Sequence, residues 1–283
     1  YHAGAALNPR LDNQYISPTN STLRHIQADN SVFRVAVDST QQDYHSNVLS
    51  FYNIPEVAGY LTVLPNQYRG YITAVSPNTE ISLNGIVRLV QPPIEALALQ
   101  NVKYLISENT RNDPQLERLF FANNHHLYRV KSVAPRAWCA QQIQTRADQG
   151  LARIAYAAAV ADTAYPAMLT RNSDDLKTGR CTVSSEQALL NGYRANIDAQ
   201  EGQLAVLSYP YSERWRVTIN GDTADYFQVN GNSMGIKLVA GDNQIELQHQ
   251  DNMIIASNGV LILFALASCV LVWRRRDTFA AQL

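Results

Sequence analysis

Trp215-Arg216-Val217-Thr218-Ile219-Asn220-Gly221-Asp222 decides how the fold is read. Trp215, Val217 and Ile219 alternate with Arg216, Thr218 and Asn220, the two-residue period of a strand buried on one face. Asn220-Gly221 then supplies the turn in which both central residues take positive φ. The same pattern repeats on either side. Leu204 to Tyr209 reads as a preceding strand, and Ala224 to Val229 and Gly235 to Val239 as following ones. Beyond the turn at Gly241-Asp242-Asn243, Ile245, Leu247 and His249 alternate with Glu246 and Gln248. With Cys181 to Ser185 and Tyr193 to Ala199 added, residues 178–252 predict an antiparallel β-sandwich.

Upstream the signals are mixed. Val32 to Val37 and Val102 to Ser107 are β-branched strand segments, and Pro93 to Gln100 is a short helix opened by proline. Leu127 to Val133 and Arg136 to Thr145 predict a strand pair around Pro135. Gly150 to Thr163 is Ala-rich and ends at Tyr165-Pro166. Its uncharged run, Ile154 to Ala161, is too short to span a bilayer, so a surface or bridging helix is expected. Residues 1–177 thus form a mixed α/β region and the fold class is α+β.

Downstream, Met253 to Trp273 contains no charge over 21 residues. As a helix it would span ~31 Å, against a hydrocarbon core of ~30 Å. Arg274-Arg275-Arg276 follows at once, while Asp242, Glu246 and Asp251 precede it. The expectation is one C-terminal transmembrane helix over 253–273, a cytoplasmic tail over 274–283, residues 1–252 outside the cytoplasm, and the lipid bilayer as a partner. Tyr1 to Arg10 lacks a signal-peptide pattern, so the chain reads as a fragment delivered by earlier membrane spans of the same protein. This topology puts Cys139 and Cys181 in an oxidising compartment and Cys269 in the membrane. A Cys139–Cys181 disulfide is expected, with the intervening helix returning the chain so that the two strands lie side by side.

Composition narrows the function classes. Of 283 residues, 46% are hydrophobic and 17% charged, which excludes disorder. Lys+Arg 23 against Asp+Glu 24 leaves a net charge of -1, so no basic field exists to gather nucleic acid. None of the three cysteines forms a C-x-x-C pair, which removes the common zinc and thioredoxin-like patterns.

Several motifs invite a chemical reading. Gly231-Asn232-Ser233-Met234-Gly235 fits the G-x-S-x-G pattern of an exported serine hydrolase, but a nucleophile elbow needs a strand before it and a helix after it, and both flanks read as strands. His125-His126 would point to opposite faces of a strand and cannot readily share one ion. Asp174-Asp175 reads as a solvated turn, and Asn20-Ser21-Thr22 as a chance glycosylation tripeptide. Tyr209 and Tyr211, around Pro210, are the candidate sugar contacts, because aromatic faces offer apolar area beside a polar tip. Trp215 is in register with the buried face of its strand and reads as core. No catalytic residue, cofactor or metal site is expected.

Segments spread along the chain resemble one family. Phe51-Tyr52-Asn53-Ile54-Pro55-Glu56-Val57-Ala58-Gly59-Tyr60, Asn101-Val102-Lys103-Tyr104-Leu105-Ile106-Ser107 and Pro135-Arg136-Ala137-Trp138 are followed by Leu207-Ser208-Tyr209-Pro210-Tyr211 with Trp215, then Val229-Asn230-Gly231. In this order they resemble the C-terminal portion of the YfhO family, bacterial multi-pass membrane proteins that resemble GT-C glycosyltransferases. The resemblance implies glycosylation of an envelope glycan, such as a teichoic acid, from a polyprenyl-phosphate-linked sugar. In GT-C enzymes the catalytic carboxylate sits in the first extracytoplasmic loop, between two membrane spans; this chain holds no such loop, so the resemblance implies a non-catalytic piece. Ser212-Glu213-Arg214 stands where the family commonly has Pro-Gly, so that loop differs in shape. The alternative is a single-pass, membrane-anchored carbohydrate-binding or adhesion module, and eight or more apolar segments upstream of Tyr1 would decide against it.

Overall fold

In the computed structural model the described residues are 20–38, 47–60, 65–83, 85–160, 165–189 and 191–249. The first element is set by its cap. The Asn20 side-chain oxygen accepts hydrogen bonds from the backbone N–H groups of Thr22 (3.0 Å) and Leu23 (3.2 Å), opening helix α1 (Ser21–Gln27). Asn20 is itself buried, so the glycosylation tripeptide is spent on a helix cap.

Strand β1 (Arg34–Asp38) is followed by a short three-stranded sheet of β2 (Gly59–Tyr60), β3 (Glu80–Ile81) and β4 (Ile86–Arg88), with helix α2 (Asn66–Val75) between β2 and β3. Helix α3 (Ile94–Leu99) starts after Pro93 and leads into β5 (Val102–Ser107). Strands β6 (Leu116–Ala122) and β7 (His125–Val130) form a hairpin whose two turn residues, Asn123 and Asn124, both have positive φ. The resulting sheet has the order β1-β5-β7-β6, with β1 parallel to β5 and the rest antiparallel. Both of its faces are covered. Val35, Tyr104, Ile106 and Leu127 pack with Leu23 and Ile26 of α1, while Ala36, Leu105 and Tyr128 pack with Ile72 and Leu97 and with Tyr156 of helix α4 (Gln149–Ala159). Burial on both sides explains the near-continuous apolar run of β5.

Strands β8 (Ala137–Cys139), β9 (Gln142–Thr145) and β10 (Pro166–Leu169) lead into the sandwich strands: β11 (Thr182–Leu189), β12 (Gly192–Ala199), β13 (Leu204–Leu207), β14 (Trp215–Ile219), β15 (Asp222–Thr223), β16 (Tyr226–Val229), β17 (Ser233–Lys237) and β18 (Gly241–His249). A five-stranded sheet, β11-β12-β18-β14-β15, faces a four-stranded one, β16-β17-β13-β8. Tyr193, Ile197, Val217, Ile245 and Leu247 from the first interdigitate with Ala205, Leu207, Met234 and Ile236 from the second. Asn220 and Gly221 make the β14–β15 turn with φ of 54° and 92°. The outer face of the four-stranded sheet is covered as well, by Ala167 and Leu169 of β10 and by Leu176. A disulfide joins Cys139 to Cys181, with Cα atoms 5.7 Å apart. The two cysteines sit in and beside edge strands of opposite sheets rather than in neighbouring strands, so the bond staples the sandwich across its edge.

One side chain threads between these regions. A Cβ added at Gly231 would lie 2.0 Å from the Arg153 Cγ, and one at Gly70 would lie 2.9 Å from the Arg153 guanidinium. Arg153 of α4 thus passes close to the backbone of both α2 and the β16–β17 turn, and the φ of 73° at Gly231 independently favours glycine.

Two expectations are corrected. The α+β class with a mixed α/β half and a C-terminal membrane helix gives way to a mostly β chain: among the described residues eighteen strands accompany four short α-helices, and no helix is long and apolar enough to cross a membrane. The run 253–273 lies outside the described residues. Upstream helix signals were real but brief. The longest helix, α4, has 11 residues and serves as a pad on a sheet. The strands predicted to pair around Pro135 do not pair either. β7 joins β5 and β6, β8 joins β13, and β9 joins β10 in parallel: the chain leaves the first sheet before Pro135 and changes sheet again at Ala140-Gln141.

Candidate functional site

The mixed sheet and the sandwich meet along a polar seam built by two arginines. Arg34, at the start of β1, donates from Nη1 to the Gln100 carbonyl (2.8 Å) and the Ser208 hydroxyl (3.2 Å), and from Nη2 to the Ser208 carbonyl (2.6 Å). Arg136, just before β8, donates to Asn101 Oδ1 (3.1 Å), the Phe33 carbonyl (2.9 Å) and the Tyr209 hydroxyl (2.5 Å). Both guanidinium groups lie over the Tyr209 ring, 5.2 and 5.4 Å from its centre. Tyr209 also packs edge-on against Trp215, at 5.7 Å, and at a tilt against Tyr193, at 5.4 Å.

Beside this seam opens a cleft of about 340 Å³, lined by Arg34, Glu56, Tyr68 and Tyr71 from the mixed region and by Ser208 and Ser233 from the sandwich. Glu56 is delivered to it by an extended segment that bridges to Val35 of β1: the Val35 N–H bonds to the Pro55 carbonyl and the Val57 N–H to the Val35 carbonyl. The Tyr68 hydroxyl donates to the Val57 carbonyl and pins this segment from the α2 side. The Glu56 carboxyl makes no ion pair or side-chain hydrogen bond with the described residues, and burial pushes its pKa up to about 8. Burial, and after it the charge of Arg136, lowers the Arg34 guanidinium to about 10. A partly apolar cleft with convergent polar groups and a strongly perturbed carboxyl has the makings of a ligand site.

The residues singled out by sequence are dispersed. Tyr209 is partly buried at the seam, with its ring taken by the two arginines. Tyr211 is not part of the cleft lining: its N–H donates to the carbonyl of Asn232 (2.6 Å), its ring lies 5.8 Å from that of Tyr226 against the sandwich core, and its neighbour Pro210 lines the wall. Ser233 pairs with Val229 at the mouth of the β16–β17 hairpin, so strands stand on both sides of it and no nucleophile elbow exists. His125 and His126 are buried at the start of β7, and no cluster of metal-ligating side chains occurs among the described residues. Asp174 closes an Asx turn with Asn172, and Asp175 pairs with Lys237 and Arg171 at the surface.

Sequence reading missed Glu56, Arg34 and Tyr68. A signal for the first was available: from Ser46 to Tyr68 Glu56 is the only charged residue, and it follows a proline in an apolar setting. Val229-Asn230-Gly231 has a structural explanation. Asn230 and Gly231 turn the hairpin with positive φ, and the buried Asn230 side chain accepts from the Met168 N–H (2.7 Å) and donates to the Pro166 carbonyl (3.2 Å), clamping β10.

The geometry is that of a β-rich domain with a ligand-sized cleft at an internal seam. Residues 162–260 match the model of a family described as bacterial membrane protein YfhO, so the segment running from β10 to the last sandwich strand is similar to that family. Leu207 to Tyr211 and Val229 to Gly231 fall within that match. No curated protein and no solved structure matches the chain.

Proposed function

We propose that this chain is an extracytoplasmic, acceptor-binding part of a glycosyltransferase-like membrane protein that acts on envelope glycans with a polyprenyl-phosphate-linked sugar donor. In this reading the transfer step belongs to membrane spans of the same protein and the chain itself is non-catalytic. The family match supports the membrane setting. The Cys139–Cys181 bond supports the oxidising side of that membrane.

The observation that carries the reading is the seam cleft. Two packed regions converge on it with hydroxyl, amide and guanidinium groups beside aromatic walls, the mixture that sugars require. Tyr68 and Tyr71 supply the aromatic wall of the cleft, Tyr211 next to Pro210 is the further sugar contact in this reading, and Tyr209 holds the two arginines in place. Titration of the purified chain with soluble envelope-glycan fragments tests this. Binding that Ser233→Trp abolishes by filling the cleft is expected, with no turnover of a polyprenyl-phosphate sugar. Binding unchanged by that substitution would remove the cleft from the proposal.

A further inference from the structure

Among the described residues the cleft holds one permanent charge with no ion-pair partner. Arg34 is the only Arg or Lys of the described lining, and every acceptor that the described residues offer Arg34 is neutral: two carbonyls and one hydroxyl. Arg136, over the same Tyr209 ring, likewise bonds only neutral acceptors through its side chain. The nearby carboxylate of Glu186 is occupied by the Arg136 backbone N–H (3.1 Å) and the Tyr193 hydroxyl (2.9 Å). Two cations gathered in a low-dielectric seam without a paired carboxylate leave an unfilled demand for negative charge.

Glu56 does not fill it. The groups facing it are Arg34 from β1, Tyr68 and Tyr71 from α2, and the neutral Ser208, Asn232 and Ser233 from the sandwich. No ion pair forms with Arg34, and burial pushes the carboxyl's pKa up to about 8, which favours its protonated form at neutral pH. A protonated carboxyl is a hydrogen-bond donor, so the cleft presents a guanidinium, a carboxylic acid and several hydroxyls, a set weighted toward donors.

Resting on the acceptor-binding reading above, we propose that the cleft takes an oxyanion, the phosphate or carboxylate of an envelope glycan or of its lipid donor, with Arg34 as counter-charge and the Glu56 carboxyl beside it. The fork of a guanidinium matches such groups in geometry as well as in charge. Ionisation of Glu56 would place a second negative charge against the ligand, so bound anion and bound proton support each other.

The test is titration of the purified chain between pH 6 and 9.5 with two probes that do not themselves titrate there, glycerophosphoglycerol and glucuronate, and with a neutral disaccharide. Both anions are expected to bind with constant affinity up to about pH 7.5 and to weaken about tenfold per unit above pH 8. Glu56→Gln should flatten that profile, and Arg34→Lys should weaken anion binding at least tenfold at pH 7 while leaving the circular dichroism spectrum native. The Glu56→Gln profile is the readout that a folding defect in the arginine variant cannot imitate. Vesicles with and without polyprenyl phosphate separate the sources: binding to them assigns the site to the donor, and binding to the soluble diester alone assigns it to the acceptor. A neutral disaccharide that binds as well as the anions, with no pH dependence, overturns this inference and leaves acceptor binding intact. Failure of all probes to bind overturns both.

Discussion

The sandwich and the mixed sheet solve the same packing problem with different shares of local pairing. In the sandwich three pairs of successive strands meet through short turns, β11 with β12, β14 with β15, and β16 with β17, while β12–β18 and β8–β13 join distant segments. Its order can nucleate locally, and the Cys139–Cys181 bond then ties its two sheets at one edge. The mixed sheet is closed by partners distant in sequence. Its parallel pair joins Arg34–Asp38 to Val102–Ser107, and Arg34 reaches Ser208, 174 residues away. Local pairing carries its own instructions, whereas a sheet assembled from distant pieces depends on a few polar anchors.

The sharpest way to break the comparison is at the end of β1. Asp38 accepts from Arg111 Nη1 (2.6 Å), the Gln91 N–H (2.8 Å) and the Ser107 hydroxyl (3.2 Å), with only 3% of its side chain exposed. Asp38→Ala strands Arg111 in the interior and should cost about 3–5 kcal/mol in urea unfolding. Amide exchange should show the loss in β1 and β5 before the sandwich; uniform loss would mean the two regions melt as one.

Replacing Cys139 and Cys181 together by serine probes the other side. A closed loop with a sequence separation of 42 should contribute roughly 2–4 kcal/mol, read as a lower midpoint with protection lost first in β8 and β11. Retention of full stability would show that sheet packing alone holds the sandwich edge.

At the seam, Glu56 sets a pH dependence. Its folded pKa of about 8 stands above the ordinary carboxylate value, so the folded chain keeps a proton that the unfolded chain releases. Stability should therefore fall as pH rises between about 4.5 and 8 and level off above, by about 2 kcal/mol once partial solvation of the carboxyl is allowed for. Glu56→Gln should remove that slope and be more stable than the native chain at pH 9, with little difference at pH 4; a slope that persists in the variant assigns it to another group. The smallest expected effect is at Asn20, where exchange for alanine should cost about 1 kcal/mol and fray α1 alone. Urea midpoints with amide exchange in residues 21–27 measure it.

The same contrast governs what the sequence reveals. The alternation of Trp215, Val217 and Ile219 and the Asn220-Gly221 turn are local, and the structure carries them as β14 and the β14–β15 turn. Val102–Ser107 was legible as a strand, but its parallel partner was not, since register between segments this far apart is written in no local period. Ala137–Cys139 looked like half of a hairpin and instead completes the sandwich beside β13, a choice made by packing. The cleft was legible only in fragments. Tyr209 was visible as an aromatic, yet the arginines over it come from 34 and 136, and Glu56 stood out only as a lone charge in an apolar stretch.

The passage of Arg153 beside Gly70 and Gly231 works as a keyhole cut to one key. A side chain at Gly231 would jam it against the stem of Arg153, and there the backbone would object as well, whereas one at Gly70 would meet only the guanidinium end. Positions 153 and 231 are therefore not free to drift separately: a side chain at 231 becomes tolerable only if 153 shrinks, whereas the guanidinium end can swing aside from one at 70. Related chains that carry a side chain at position 231 should have shortened position 153 in the same step.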